Sequence, residues 1–306
     1  MLDVNGLKLI NDAFGHHAGD ELLKLTGKLL TENTRSKDIK SRWGGDEFVV
    51  IFPGTTHDLA KQIMERMIES AKGRKTKYGE VSLALGIATK TRPNESINKK
   101  FKLAEELMYQ NKNNIISSVR SETINTIVKT LFEKSPETEQ HSQRVSKIAS
   151  LIALKLGLPE NKINDIETIG MIHDIGKIVI DSSLLNKESK LTDEEMDIIR
   201  NHPGVGSKIL SSTNKYTRLI PGVLHHHERI DGKGYPDHLK GDDIPYDSKI
   251  ICVADAFDAM TQQRPYKKGT MSIDAACEEL VRCSGTQFDK DIVDIFINDV
   301  VPILKE

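Results

Sequence analysis

One boundary constrains the fold of this chain more than any other feature. Up to residue 114 short strand-like runs alternate with helical periodicities, and beyond residue 120 no strand-like run of any length appears. Strands and helices in alternation call for a sheet covered by helices, whereas helices alone must bury their apolar stripes against one another. The sequence therefore reads as an α/β part followed by an all-α part, and 306 residues are enough for two ordinary domains.

Within the first part, Leu2-Asp3-Val4 reads as the end of a strand whose earlier portion is absent. Leu22, Leu23, Leu25, Leu29 and Leu30 recur at helical spacing over 19–30. Residues 42–52 read as a strand, a Gly44-Gly45 turn carrying Asp46 and Glu47, and a returning strand. Helices are predicted over 59–68 and 98–112, and a buried strand over 81–88. Residues 113–122 hold no Gly or Pro, so a stiff helical linker is expected at 115–122. The spacing then predicts helices over 124–134, 141–156, 161–172, 193–200, 205–210, 247–260, 273–283 and 290–303. Thr192 and Glu195 make a capping box, and Gly157 is a helix stop.

Charge narrows the partners. The formal net charge is −2, which favours neither a nucleic-acid polymer nor an anionic membrane. It divides unevenly: 19 basic against 15 acidic residues up to residue 114 give +4, and 24 against 30 afterwards give −6. Seven of the ten histidines lie in the acidic part, where they can serve metal. Cys252, Cys277 and Cys283 form no CxxC pair, and the longest apolar run is the strand-like stretch ending at Phe52. A reducing cytoplasm is the expected setting, with no membrane span.

The densest chemistry lies in the run His226-His227-Glu228-Arg229-Ile230-Asp231-Gly232-Lys233-Gly234-Tyr235-Pro236. Adjacent histidines cannot both enter one apolar core from a regular helix, so the pair suggests something held. Glu137 with His141, His173 with Asp174, His202 and Asp255 extend the set. Residues 172–177 are expected to place His173 and Asp174 within an apolar helix, where unpaired polar groups are costly. Five imidazoles with carboxylates and no thiolate suit iron, manganese, zinc, nickel or cobalt better than calcium. Eight ligands exceed the needs of one ion, and Asp174 can bridge two. Two ions about 3.5–4 Å apart clamp a phosphodiester for in-line displacement, so phosphoester hydrolysis is the predicted chemistry.

Two families are resembled. Gly44-Gly45-Asp46-Glu47-Phe48 makes residues 1–114 similar to most of a GGDEF domain, the diguanylate cyclase fold, without its opening helix and most of its first strand. This resemblance implies magnesium carboxylates at Asp3 with Asp46 or Glu47, guanine-reading positions at Asn11 and Asp20, and a phosphate-contacting lysine at Lys112. It also implies an inhibitory site for cyclic di-GMP at Arg35 and Asp38. The family's Gly-Arg-Asn is replaced by Asn114-Ile115-Ile116, which removes a phosphate cation. The implied fate is a regulatory or dimerising remnant that holds magnesium only with GTP. A diguanylate cyclase, or a receptor for GTP or cyclic di-GMP, is the alternative.

The helical part, residues 123–306, resembles the HD-GYP family through His173-Asp174, His202-Pro203, Gly234-Tyr235-Pro236, residues 254–261, Arg264-Pro265-Tyr266 and residues 285–289. The resemblance implies an all-α HD-domain bundle that hydrolyses cyclic di-GMP to pGpG or GMP, and a homodimer is the expected assembly of the chain. By position it implies ligands at His141, His173, Asp174, His202, His226, His227 and Asp255, with Glu137 serving a third metal. Asp174 and Lys177 are the implied catalytic residues. Tyr235, Asp258, Arg264 and Lys267 are grouped with substrate binding, and Asp258, one turn beyond Asp255, can instead orient a ligand or Lys177. His225 and His238 are expected to be ordinary surface histidines.

Overall fold

The computed structural model describes residues 1–187, 189–262 and 269–305, with the backbone alone for 113–119. Arg264 and Lys267 lie outside the described residues. The chain divides into two units, Met1–Thr126 and Ile127–Glu306.

The first unit runs β1 (Leu2–Val4), α1 (Leu7–Phe14), α2 (His16–Asn33), β2 (Ile39–Gly44), β3 (Glu47–Ile51), α3 (His57–Ala71), β4 (Lys75–Thr76), β5 (Gly79–Glu80), β6 (Leu83–Leu85) and into α4 (Ile97–Lys134). An antiparallel sheet has the order β2-β3-β1-β6, and β4 and β5 pair separately. Leu2, Val4, Phe48, Leu83 and Leu85 from the sheet bury against Leu22, Leu29, Leu30, Ile63 and Met67 from the helices. The strand expected over 81–88 is only three residues long. Its neighbour β1 presents only Leu2, Asp3 and Val4 to it, and Met1 adds one more exchange of hydrogen bonds with Gly86. The helices expected over 98–112 and 124–134 are one helix, α4, because nothing between them breaks the hydrogen-bond ladder.

The second unit continues with α5 (Pro136–Lys155), α6 (Glu160–Ile172), a 3₁₀ turn (Ile175–Val179), α7 (Ser182–Leu185), α8 (Asp193–Arg200), α9 (His202–Leu210), α10 (Ile220–Leu224), α11 (Tyr246–Thr261), α12 (Ile273–Arg282), α13 (Lys290–Ile295), a π-helical turn (Phe296–Val300) and α14 (Val301–Lys305). No strand occurs among its described residues. Val145, Ile152, Ile166, Ile169, Val253 and Phe296 are fully buried and form its core. α5 begins earlier than its periodicity suggests. Ser135 accepts from the Thr138 N–H and Pro136 takes the first turn, a start signal stronger than apolar spacing.

One local expectation is corrected. His173 and Asp174 are not inside a helix: α6 ends at Ile172, His173 caps it, and Asp174 at φ −93° opens the 3₁₀ turn. The break has a packing cause. Gly176 lies against α9 so closely that a Cβ there would stand 1.9 Å from the His202 carbonyl oxygen and 2.7 Å from the Gly206 nitrogen. That backbone-to-backbone contact brings the segments bearing Asp174 and His202 together.

Candidate metal centre

Ser135 and Pro136 fix the phase of α5, so Glu137, His141 and Arg144 follow one another along one face. α6 lies beside α5, where the Ser146 hydroxyl donates to the Glu167 carbonyl, and ends by delivering His173 and Asp174. α9 opens with His202, α10 ends just before His226 and His227, and α11 carries Asp255 and Asp258.

These segments converge. Ligand-capable atoms of three overlapping groups, His141 with His173 and Asp255, His173 with Asp174 and His226, and His202 with His226 and His227, lie within 4.8 Å of one another in each group. The ring nitrogens explain why. Nδ1 of His173 donates to the Gly170 carbonyl at 2.7 Å, that of His202 to Ile199 at 2.7 Å, and that of His226 to Val223 at 2.6 Å. In a neutral imidazole this assignment leaves Nε2 as a bare lone pair. The Nε2 atoms of His202 and His226 face each other at 3.3 Å. Nε2 of His173 is buried without a hydrogen-bond partner, although Asp174 Oδ2 is 3.4 Å away. Asp174 Oδ1 stands 3.2 Å from His202 Nε2. Lone pairs and carboxylates gathered in a dry pocket repel one another unless cations lie among them. The donor set therefore fits divalent metal ions.

The electrostatics agree. Burial pushes the imidazoles of His173 and His226 below their ordinary value of 6.5, and that of His227 to about 3. Burial alone would raise Asp174, but Lys177, His173 and His202 outweigh it and hold the carboxyl well below the carboxylate range. Asp255 is also held low, since its hydrogen bond and charge interaction with His141 overcome burial. Burial lowers His141, yet Asp255 and Asp258 reverse this and raise it. Unfolded histidines take up protons below 6.5 that folded His173, His226 and His227 resist, so their contribution is present above 6.5 and lost as pH falls towards 3. His141 works in the opposite sense but is one group against three. Chelator-treated protein should therefore show a urea midpoint that falls from pH 7 to pH 5. A flat or rising midpoint would contradict neutral burial of these rings.

Asp258 is buried, at 1% exposure, and takes His141 Nδ1 at 2.7 Å and the Arg144 guanidinium on its two oxygens. Both its oxygens are occupied by His141 and Arg144, which suits a residue that orients another side chain. Arg144 carried no role in the reading of the sequence, though its place three residues after His141 was the available signal. Glu228 carried none either: buried at 2% exposure, it accepts the Asp237 N–H at 2.7 Å and braces the loop that carries Tyr235. Gly234 lets that loop close, since a Cβ there would meet Glu228 Cα at 2.4 Å. The Tyr235 ring lies 4.8 Å from that of His227. Lys177 holds Asp174 Oδ2 at 2.6 Å. Glu137 is exposed on the wall of an adjoining cavity and belongs to none of the three groups. His225 is not an ordinary surface residue, because its Nε2 meets Asp237 at 3.0 Å with the side chain 14% exposed.

In the first unit, Asp3 and Glu47 are cross-strand partners, and Lys112 Nζ lies 2.6 Å from Asp3 and 3.9 Å from Asp46. Burial raises Asp3 in spite of Lys112, and its Oδ1 has no hydrogen-bond partner. Asn11 packs on Gly19, next to exposed Asp20. Asp38 is turned inward, accepting the Arg35 N–H at 2.7 Å, while the Arg35 guanidinium reaches Thr55.

A helical unit that closes histidines and aspartates from separate segments around one point has the character of a metal-dependent phosphohydrolase domain. Residues 125–292, more than half of the chain, match the HD domain family, and the chain belongs to it. Residues 1–117 match the GGDEF domain of diguanylate cyclases. The cyclic di-GMP phosphodiesterase response regulator RpfG of Xanthomonas campestris is 37% identical over 205 residues, 66% of this chain and 54% of the relative. A cyclic di-GMP phosphodiesterase of Thermotoga maritima is 38% identical over 163 residues, 53% of this chain and 44% of the relative. The 3'3'-cGAMP-specific phosphodiesterase 2 of Vibrio cholerae is 33% identical over 178 residues, 58% and 34% of the two chains. The chain spans about half the length, or less, of these curated relatives. Among the described residues no helix is long and apolar enough to cross a membrane.

Proposed function

We propose that the second unit is a metal-dependent phosphodiesterase that hydrolyses cyclic di-GMP to pGpG or GMP. The observation that carries this reading is the convergence of bare imidazole nitrogens on the Asp174 carboxylate. His141, His173, Asp174, His202, His226, His227 and Asp255 would hold two divalent ions, with Glu137 reaching a third. Iron or manganese suits these donors best, and zinc, nickel and cobalt also fit. Such ions, when bound, supply charge for the phosphodiester oxygens and an acidified water.

The chain's own residues prepare that chemistry. Asp174 and Asp255 are held ionised by the groups around them. Asp258 keeps the His141 proton on Nδ1 and its Nε2 towards the centre. Lys177 stands beside Asp174 where an ammonium can meet a non-bridging oxygen or the leaving group. Tyr235 covers His227 at the substrate side, and Arg264 and Lys267 are assigned to the phosphates.

The relatives' names divide between cyclic di-GMP and 3'3'-cGAMP, so both are substrates to compare. Metal-loaded protein incubated with each is expected to release linear pGpG or GMP from cyclic di-GMP faster than products from 3'3'-cGAMP, read by chromatography. Intact cyclic di-GMP after long incubation would overturn the assignment. The first unit is read as a regulatory partner that binds GTP with magnesium at Asp3 and either Asp46 or Glu47, in a homodimer in the cytoplasm. Turnover indifferent to GTP in the same assay would remove that role.

A further inference from the structure

A cavity of about 650 Å³ opens beside the metal centre, within the second unit. Its volume lies in the range of ligand clefts, roughly 300–1,000 Å³. One wall is the centre itself, with His141, Asp174 and Lys177. A second part of the wall is apolar: Leu184, Leu185 and Leu191 from the segment before α8, and Met196 and Ile199 from α8. All five are only partly buried.

That wall is not a consequence of core packing. α8 buries none of its residues, yet Met196 and Ile199, one turn apart, both face the cavity. The segment before α8 is also fixed in advance. Lys187 Nζ lies 2.6 Å from both oxygens of Glu195, and Glu195 Oε2 accepts the Thr192 N–H at 2.9 Å, which ties that segment to α8. Amide side chains of Gln140, Asn186 and Gln262 share the lining with the charged groups of Glu137, Arg144, Lys187 and Lys190. The ligand that suits such a space carries its reacting, charged part at one end and a flat apolar body with a polar edge at the other. A base joined through its sugar to a phosphate has that form. Stacking on apolar side chains suits the faces of a purine, and amides offer both donor and acceptor to its edge.

We propose that this cavity receives one purine base of the cyclic dinucleotide, with Met196 and the three leucines against its faces and the amides at its edge. The proposal rests on the phosphodiesterase reading for the identity of the ligand. It assigns Leu184, Leu185, Leu191, Met196 and Ile199 to substrate selection, residues outside the metal centre.

The test is Met196→Trp in the full chain, which fills the cavity from a helix whose side chains are not needed in the core. Two diesters are compared on metal-loaded protein: cyclic di-GMP, and the same cyclic diribose diphosphate ring with both bases removed, which carries no planar group. KM for cyclic di-GMP should rise about tenfold or more while turnover of the base-free diester is unchanged. Calorimetry on chelator-treated protein should show Kd for cyclic di-GMP weakened by a similar factor, a readout that needs no turnover. KM and Kd within about twofold of the parent overturn the proposal. So do equal losses on both diesters, or no binding by parent and variant alike. If the parent hydrolyses neither diester, the phosphodiesterase reading falls, and the Kd comparison alone decides the cavity.

Discussion

Asp174→Asn is expected to lower hydrolysis of cyclic di-GMP by about 1,000-fold or more, with metal content falling alongside. Asparagine keeps the shape but loses the charge, and it presents an NH₂ group where an acceptor is required. Oδ1 faces His202 Nε2 at 3.2 Å, and Oδ2 faces Lys177 at 2.6 Å and His173 at 3.4 Å. Either orientation of the amide therefore points a donor at a cation or at a lone pair needed by an ion. Elsewhere even a residue that only supports a metal ligand changes affinity by about 10–100-fold, and a carboxylate that would itself hold the ions should do more. Turnover and metal content measured on one preparation check this. A variant that keeps a tenth or more of the activity would contradict the role of Asp174.

Gly176→Ala is the change expected to damage the unit most through packing. The added methyl would lie 1.9 Å from the His202 carbonyl oxygen and 2.7 Å from the Gly206 nitrogen. Both are backbone atoms, so no flexible side chain can yield, and α9 must separate from the 3₁₀ turn. Overpacking of this kind costs about 3 kcal/mol or more. The cost falls on the contact that joins Asp174 to His202, so metal affinity should decline even where the protein remains folded. Urea unfolding of the metal-free protein checks the first effect and metal titration the second. A stability within about 0.5 kcal/mol of the parent would mean the two segments do not touch as described.

The residues that the structure gathers at the centre were legible because their chemistry is exceptional. Histidines in pairs, and a His-Asp pair amid apolar residues, have few other uses. Their setting was less legible. The helix expected over 161–172 ends where α6 does, but His173 and Asp174 were read as helical, and the close approach of Gly176 to another segment's backbone leaves no local signal. Asp258 shares a helical face with Asp255, so sequence spacing alone could not tell a substrate-facing carboxylate from one turned onto His141 and Arg144. Glu137 follows the spacing of a ligand, but the structure leaves it on the cavity wall. The apolar wall was invisible, because Met196 and Ile199 look like the core face of any amphipathic helix. In the first unit the Gly-Gly turn and its strands were clear from the sequence. The contact of Lys112 with Asp3, across 109 residues, was not.

The central claim is that the second unit hydrolyses a cyclic dinucleotide through metal held by the clustered histidines and aspartates. The most direct measurement strips the protein of metal, restores manganese or iron in steps, and reads bound metal and conversion of cyclic di-GMP on the same samples. Conversion should be absent at first, rise as ions bind, and level off at two or three ions per chain. Full conversion by stripped protein, or filled sites with cyclic di-GMP untouched, would contradict the claim.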